Sequence, residues 1–301
     1  MAKLLFKNVI GEFEFSENCQ LVGKIKGKSG LDSPNEGQRK KILASFKQNK
    51  FYPEFYKENL RLTKEAIRTS GKDDIIIVQA IKSIKELERI RNILLNRMRD
   101  WYGYHNPELA RNIGNQEKMV ELILKKDRKT LLKEMKINEK DSIGIEFSKE
   151  DLNEINQICK EIQNIEKLKG EQEKYLEKIM RNIMPNTTEI ATPLIGAELI
   201  ELAGSMRNLM EMPSSTVQLL GAEKSLFRHI RNKKNLAPKY GIIFNHPLLQ
   251  NADMDNKGKI ARLLAGKINI AVKVDFFKGK SVGDRLKKEI NEKIKEIEKK
   301  I

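Results

Sequence analysis

Cysteine and histidine are nearly missing from this chain: two Cys and three His occur in 301 residues. Cys19 and Cys159 lie far apart, with no CxxC or Cys/His spacing around them. That excludes a disulfide framework and any familiar zinc site, and predicts a reducing compartment with no structural metal and no cofactor. Long apolar runs are missing too. Met1 to Ile10 is broken by Lys3 and Lys7, and no window approaches the ~20 apolar residues of a membrane span. The expectation is a soluble, non-secreted, cytoplasmic protein without a membrane partner.

Signatures of catalysis are equally scarce. Gly23-Lys-Ile-Lys-Gly27-Lys28-Ser29 places three residues between its glycines where a phosphate-binding loop needs four, and Gly30-Leu-Asp-Ser-Pro34 follows instead of a helix. A glycine-rich hairpin explains it. No GxGxxG follows a strand, as an S-adenosylmethionine or dinucleotide fold would require. No Ser/His/Asp grouping, carboxylate pair or metal-ligand cluster stands out. The sequence predicts a protein that is not an enzyme. A methyltransferase acting alone is the competing reading, and it requires binding of S-adenosylmethionine.

What is present in excess is positive charge: 58 Lys+Arg against 42 Asp+Glu give +16. A thermophile-style surface explains the abundance of charges but not their imbalance, which points to an anionic partner such as nucleic acid.

Residues 1 to about 30 read as short strands and turns, with Gly11, Gly23, Gly27 and Gly30 as punctuation, and helical spacing begins at Glu36. A small α/β domain over 1–71 follows, ending near Ser70-Gly71. Ile77, Ile81, Ile84, Leu87, Leu94, Met98 and Trp101 then recur at helical spacing. A second long run starts at Ser148-Lys149-Glu150-Asp151, which resembles a capping box, and ends at Pro185. With a shorter helical segment from Glu117 to Met135 between them, the two runs predict an antiparallel coiled-coil hairpin over 72–184. Its outer face suits self-association, although the periodicity fits equally a solvated helix pair that spaces two domains. Small residues and glycines mark an α-helical domain over 185–301, closed by a Lys/Glu helix from Ser281. The fold class is therefore mainly α, with a small α/β N-terminal domain.

The stretch after Pro213 is the most informative. Ser214 or Ser215 can cap a helix there, on which Lys224, Arg228 and Arg231 share one narrow face at ~100° per residue. Gly221 lies at the margin of that face. Leu226, Phe227 and Ile230 lie roughly opposite and are expected to be buried. The row lacks acidic partners at i+4, which favours phosphate contact over an ordinary solvated face. From Arg207 to Lys267 there are eleven Lys/Arg and four Asp/Glu. Lys239, Lys257, Lys259 and Arg262 belong to this group, and Lys257 and Lys259 are expected at the start of a helix, where free amides favour an anion. The few aromatics here, Phe227, Tyr240 and Phe244, argue against a single-strand reader and for a shaped, largely paired RNA.

The run Met184-Pro-Asn-Thr-Thr, Gly196-Ala-Glu-Leu-Ile, Pro213-Ser-Ser-Thr-Val-Gln-Leu-Leu-Gly-Ala-Glu-Lys224, Leu226-Phe-Arg228, Pro238-Lys-Tyr-Gly241, Lys257-Gly-Lys-Ile-Ala-Arg262 resembles the Nop domain from end to end. Trp101-Tyr102-Gly-Tyr-His-Asn-Pro107-Glu is similar to the segment that ends the family's first coiled-coil helix. The resemblance covers about residues 75 to 285. It implies a non-catalytic scaffold of an archaeal box C/D guide-RNA 2′-O-methylation particle, in which the first domain holds the methyltransferase fibrillarin and the coiled coil forms a homodimer. It implies that the last domain grips a kink-turn RNA together with a ribosomal-type kink-turn-binding protein. Carried onto matching positions, Gly221, Glu223, Lys224 and Arg228 belong to the RNA-facing helix and Lys239 to a loop near the RNA. Lys257, Lys259 and Arg262 match less distinctively. Ser225 departs from the usual Ala, and the short first module prevents transfer of fibrillarin contacts. A splicing-type Nop factor without a methyltransferase partner is the alternative. Ile268, Ile270, Val272, Val274 and Phe276 alternate like a strand where the family has a helix; Leu264, Ile268, Ala271 and Val272 also fit a helical stripe, and a helix is expected.

Overall fold

The computed structural model describes residues 3–25, 32–47, 49–69 and 72–298. The chain divides into two compact units, Met1–Lys72 and Asp73–Ile301. Among the described residues there are fifteen helices and one three-stranded sheet, which is the mainly α class expected.

In the first unit, β1 (Lys3–Asn8), β2 (Gly11–Ser16) and β3 (Leu21–Ile25) form an antiparallel meander in that order. Gly11, at φ +136°, closes the first hairpin, a conformation that disfavours a side chain. Phe13 and Phe15, two residues apart on β2, face the same side and are buried. Helix α1 (Glu36–Ser45) starts from a capping box formed by Asn35 and Gln38 and buries Ile42. Phe46 follows it and meets the rings of Phe6, Phe13, Phe15 and Phe51 at 4.9–5.9 Å. Helix α2 (Tyr52–Thr69) completes the unit. The part of the glycine-rich hairpin beyond Ile25 and the boundary at Ser70-Gly71 lie outside the described residues.

The second unit begins with a helical hairpin. Helix α3 (Lys72–His105) runs out, and α7 (Lys149–Ile183) returns from the capping box that Ser148 and Asp151 form as their spacing predicts. The short segment between them is α4 (Pro107–Asn112), α5 (Gln116–Lys125) and α6 (Arg128–Glu134). Asp127 interrupts the expected single helix by capping α6 at the Thr130 amide. Leu95, Met98 and Tyr102 of α3 pack with Ile155, Cys159 and Ile162 of α7 at the far end. At the near end Ile77, Ile81, Ile84, Leu176 and Met180 join the core of the C-terminal helices. Between the two cores the helices are tied by charge: Arg91 reaches Glu166 at 2.5 Å and Glu117 at 3.1 Å.

The C-terminal helices are α8 (Pro185–Ala191), α9 (Pro193–Ala203), α10 (Met206–Glu211), α11 (Ser214–Leu219), α12 (Glu223–Arg231), α13 (Pro247–Gln250), α14 (Met254–Phe276) and α15 (Gly283–Glu298). Helix α14 is central, with Ile260, Leu264, Ile268, Ala271 and Val272 all buried. The alternation at 268–276 is thus a helix, as the helical stripe requires.

Two histidines are buried, His105 and His246. Burial lowers the pKa of each from 6.5, so the folded chain keeps both imidazoles neutral where the unfolded chain protonates them. Below about pH 6.5 the unfolded state binds more protons, and stability falls as the pH falls. Melting temperature should therefore drop between pH 7.5 and 5, and His246→Gln should flatten that slope. An unaltered slope in the variant would remove His246 from the account.

Candidate nucleic-acid interface

The basic stretch is built on a turn, not on one continuous helix. Pro213 precedes α11, and neither Ser214 nor Ser215 caps it; no side chain does. Instead Asn269 of α14 donates to the Met212 carbonyl at 2.6 Å and fixes the entry to α11. Val217 is fully buried, and after Leu219 the chain turns through Gly221 at φ +86°. This splits the expected helix in two. Glu223 accepts a hydrogen bond from the Gly221 amide at 2.7 Å, so its carboxylate holds the turn that starts α12.

Helix α12 buries none of its side chains. Lys224, Arg228 and Arg231 are exposed, and no ion pair engages them among the described residues. The expected burial of the opposite face is corrected: Leu226 is half-buried, but Phe227 is 65% and Ile230 56% exposed, because the turn at Gly221 leaves α12 without a helix packed on that side.

Residues 232–241 fold back on α12 and α11. The Arg228 carbonyl accepts from the Asn232 amide at 3.0 Å and the Asn235 side chain at 3.3 Å, and the His229 ring meets the Asn235 carbonyl at 2.5 Å. Gln218 donates to the Lys239 carbonyl at 2.6 Å. The Ile242 amide bonds the Leu220 carbonyl at 2.7 Å, and a Cβ on Gly241 would lie 1.9 Å from that oxygen. Only glycine allows this closure. Neither Gln218 nor Asn235 stands out in the sequence, since an amide's partner across a loop leaves no local pattern.

Lys239 lies over α14: a Cβ on Gly258 would be 3.6 Å from its Cδ. Lys257 is 9% exposed, with its ammonium 5.0 Å from the centre of the Phe244 ring, which stacks on Tyr240 at 4.8 Å. It braces the loop from beneath. Lys259, bonded to Asn256 at 3.3 Å, and Arg262 are exposed. Helix α14 begins at Met254, earlier than expected, with Asp253 and Asp255 at its start. Those acids, not the lysines, occupy the positive end of the dipole. The arrangement sets α12 and the Lys239 loop beside each other as a cationic surface suited to phosphates. Among the described residues no group of three or more His, Cys, Asp or Glu is placed to hold a metal, and no helix is long and apolar enough to cross a membrane.

The family model described as Nop, "snoRNA binding domain, fibrillarin", matches residues 83–296. An "uncharacterized NOP5 family protein" of Methanocaldococcus jannaschii is 38% identical over 268 residues, covering 83% of this chain and 64% of that protein. Nucleolar protein 58 of Botryotinia fuckeliana is 37% identical over 218 residues, covering 68% and 38%, and probable nucleolar protein 5-2 of Arabidopsis thaliana is 39% identical over 221, covering 69% and 41%. The chain spans less than two thirds of the length of these relatives. Among solved structures, a chain of a fibrillarin/Nop5p complex shares the fold, with TM-score 0.50 and 22% identity, covering 97% of this chain and 99% of that one. The expected cytoplasmic location is overturned by the relatives: the eukaryotic ones carry nucleolar names. Composition and hydropathy therefore do not define the compartment.

Proposed function

This chain belongs to the Nop-domain family, and from that we propose that it is the non-catalytic scaffold of a box C/D guide-RNA 2′-O-methylation particle. The observation that carries the RNA role is the exposed row Lys224, Arg228 and Arg231 on a helix with no fully buried side chain, beside the loop of Lys239. Exposed cations without acidic partners have counterions to release when they meet phosphates. Gly221 and Glu223 shape the turn that presents them, Lys257 supports the loop, and Lys259 and Arg262 extend the surface along α14.

In this reading residues 1–71 dock fibrillarin, 72–184 form the coiled coil that joins two copies, and 185–301 grip a kink-turn RNA with its primary binding protein. Ile90, Ile93, Leu168 and Tyr175 are exposed on the hairpin helices, which supports pairing between copies. Fibrillarin docking is supported by the matched family's description, which includes fibrillarin, and by the shared fold of a chain from a fibrillarin/Nop5p complex.

The test is electrophoretic binding of the purified chain to a kink-turn RNA over a salt series, with and without the kink-turn-binding protein. Tight binding only in its presence is expected, because the surface here has cations for phosphates but few rings for reading bases. Equal binding to any RNA would reduce the chain to a generic basic scaffold. Light scattering of the same sample should give twice the chain mass.

A further inference from the structure

The far end of the hairpin holds a cavity of about 410 Å³ that the RNA surface does not use. It is large enough for a small organic ligand. Its walls come from the end of α3, the turn from α5 into α6, the loop that returns to α7 and the first turns of α7. Tyr102, His105 and Phe147 form one side: the His105 and Phe147 rings stack at 5.1 Å and 19°, and Tyr102 meets His105 edge-on at 5.5 Å. Ile123, Leu132 and Ile155, all buried, supply apolar floor. Burial keeps the imidazole neutral by lowering its pKa, so the ring is available as a stacking surface.

Arg128 also lines this cavity, and its attachment is unusual. One amino group, Nη2, donates to Ser142 Oγ at 2.8 Å and to the Gly144 carbonyl at 3.0 Å. Both acceptors are neutral. Among the described residues Arg128 makes no ion pair, and Nη1 makes no hydrogen bond. Its Nε is buried without a hydrogen-bond partner. The guanidinium is held rigidly, because a Cβ on Gly144 would lie 2.2 Å from the His105 carbonyl and the loop therefore clamps directly over the end of α3. Ser142 is in turn fixed to Glu108 at 2.9 Å. A fixed cation whose Nη1 amino group is unbonded, beside a wall of flat rings, matches a ligand that is itself flat, aromatic and rich in acceptors. Asn156 and Glu146 on the rim provide partners for an exocyclic amine.

We propose that this cavity binds a nucleotide, with the base against the His105–Phe147 pair and a carbonyl or phosphate oxygen on Arg128. The base is supplied either by a free nucleotide or by a residue splayed out of an RNA strand, the form in which single-stranded bases meet aromatic side chains. The α12 surface is a separate site, and neither depends on the other.

The experiment is a carbon-proton NMR titration of the full chain that follows the isoleucine methyl and histidine ring signals. The probes are the four nucleoside monophosphates, each alone, and a short unstructured oligonucleotide. Shifts at Ile123, Ile155 and His105 with at least one mononucleotide at millimolar concentration identify a free-nucleotide site; shifts only with the oligonucleotide identify a splayed residue. Arg128→Gln should weaken either response at least tenfold. Leu152→Trp, which fills the mouth from a half-exposed position, should abolish it while circular dichroism stays that of the parent. The Lys224→Ala/Arg228→Ala variant should retain the response, which separates this site from RNA binding on α12. No cavity shifts with any probe, or shifts that survive both Arg128→Gln and Leu152→Trp, would overturn the assignment.

Discussion

Replacing Asp275 with alanine should destabilise the second unit by about 3–5 kcal/mol, because it leaves several buried donors without their charged acceptor at roughly 1–3 kcal/mol each. Asp275 lies in the last turns of α14 and is 8% exposed. One carboxylate oxygen accepts from the Asn186 backbone amide at 3.1 Å and its side-chain amide at 2.7 Å. The other accepts from the Thr187 amide and hydroxyl, both at 2.7 Å. These amides begin α8, where the helix has no bonds of its own to give them. Asn186 then passes the connection on: its Oδ1 accepts from Val282 at 2.7 Å and Gly283 at 2.9 Å, which fixes the start of α15. A single carboxylate thus joins three helices.

Alanine leaves four donors buried with no acceptor. Asparagine keeps the shape, but its amide group turns donors toward the donors of one residue, so Asp275→Asn should recover less than half of the loss. Urea unfolding followed by circular dichroism gives the comparison, and a loss below about 1 kcal/mol for alanine would show that water replaces the carboxylate. Trp101 is the single tryptophan and packs against the far core of the hairpin. Its fluorescence should therefore lag behind the circular dichroism if the damage stays near α8.

This network marks the limit of what the sequence discloses. The hairpin was legible because α3 and α7 are long and carry apolar residues at helical spacing, and because the Ser148–Asp151 box marks the start of α7 where the periodicity also begins. The fold class followed from those lengths. Helix α14 was harder for a physical reason: it is buried on several sides, and an all-round apolar pattern satisfies a two-residue and a 3.6-residue period at once. Asp275 offered no local sign at all, as its partners lie 89 and 88 residues away. The basic row was legible as a composition but not as a shape. A glycine inside a helical pattern costs only about 1 kcal/mol and is often tolerated. What makes Gly221 a turn is the Leu220–Ile242 bond and the contact of Gly241 with Leu220, neither of which is local. The same turn explains why Phe227 and Ile230, apolar by pattern, remain exposed.

That exposure makes the second large effect clean to measure. Because α12 buries no side chain, Lys224→Ala with Arg228→Ala should leave the melting temperature nearly unchanged, as surface substitutions usually stay within about 0.5 kcal/mol. RNA binding should respond strongly. Each phosphate contact contributes about 0.7–0.9 to the slope of log affinity against log salt, so losing two should make the slope shallower by about 1.4–1.8 and weaken binding roughly 25- to 60-fold at 0.1 M salt. Lys174 and Lys178 on α7 are exposed as well and serve as the control pair. Their replacement changes the net charge by the same amount but should leave the slope intact, because long-range attraction alone is screened beyond about 10 Å at this salt. Equal slopes for the two double variants would mean that the RNA senses only the overall positive field of +16. A shallower slope confined to the α12 pair places phosphates on that helix, and adding Arg231→Ala should then remove a further 0.7–0.9.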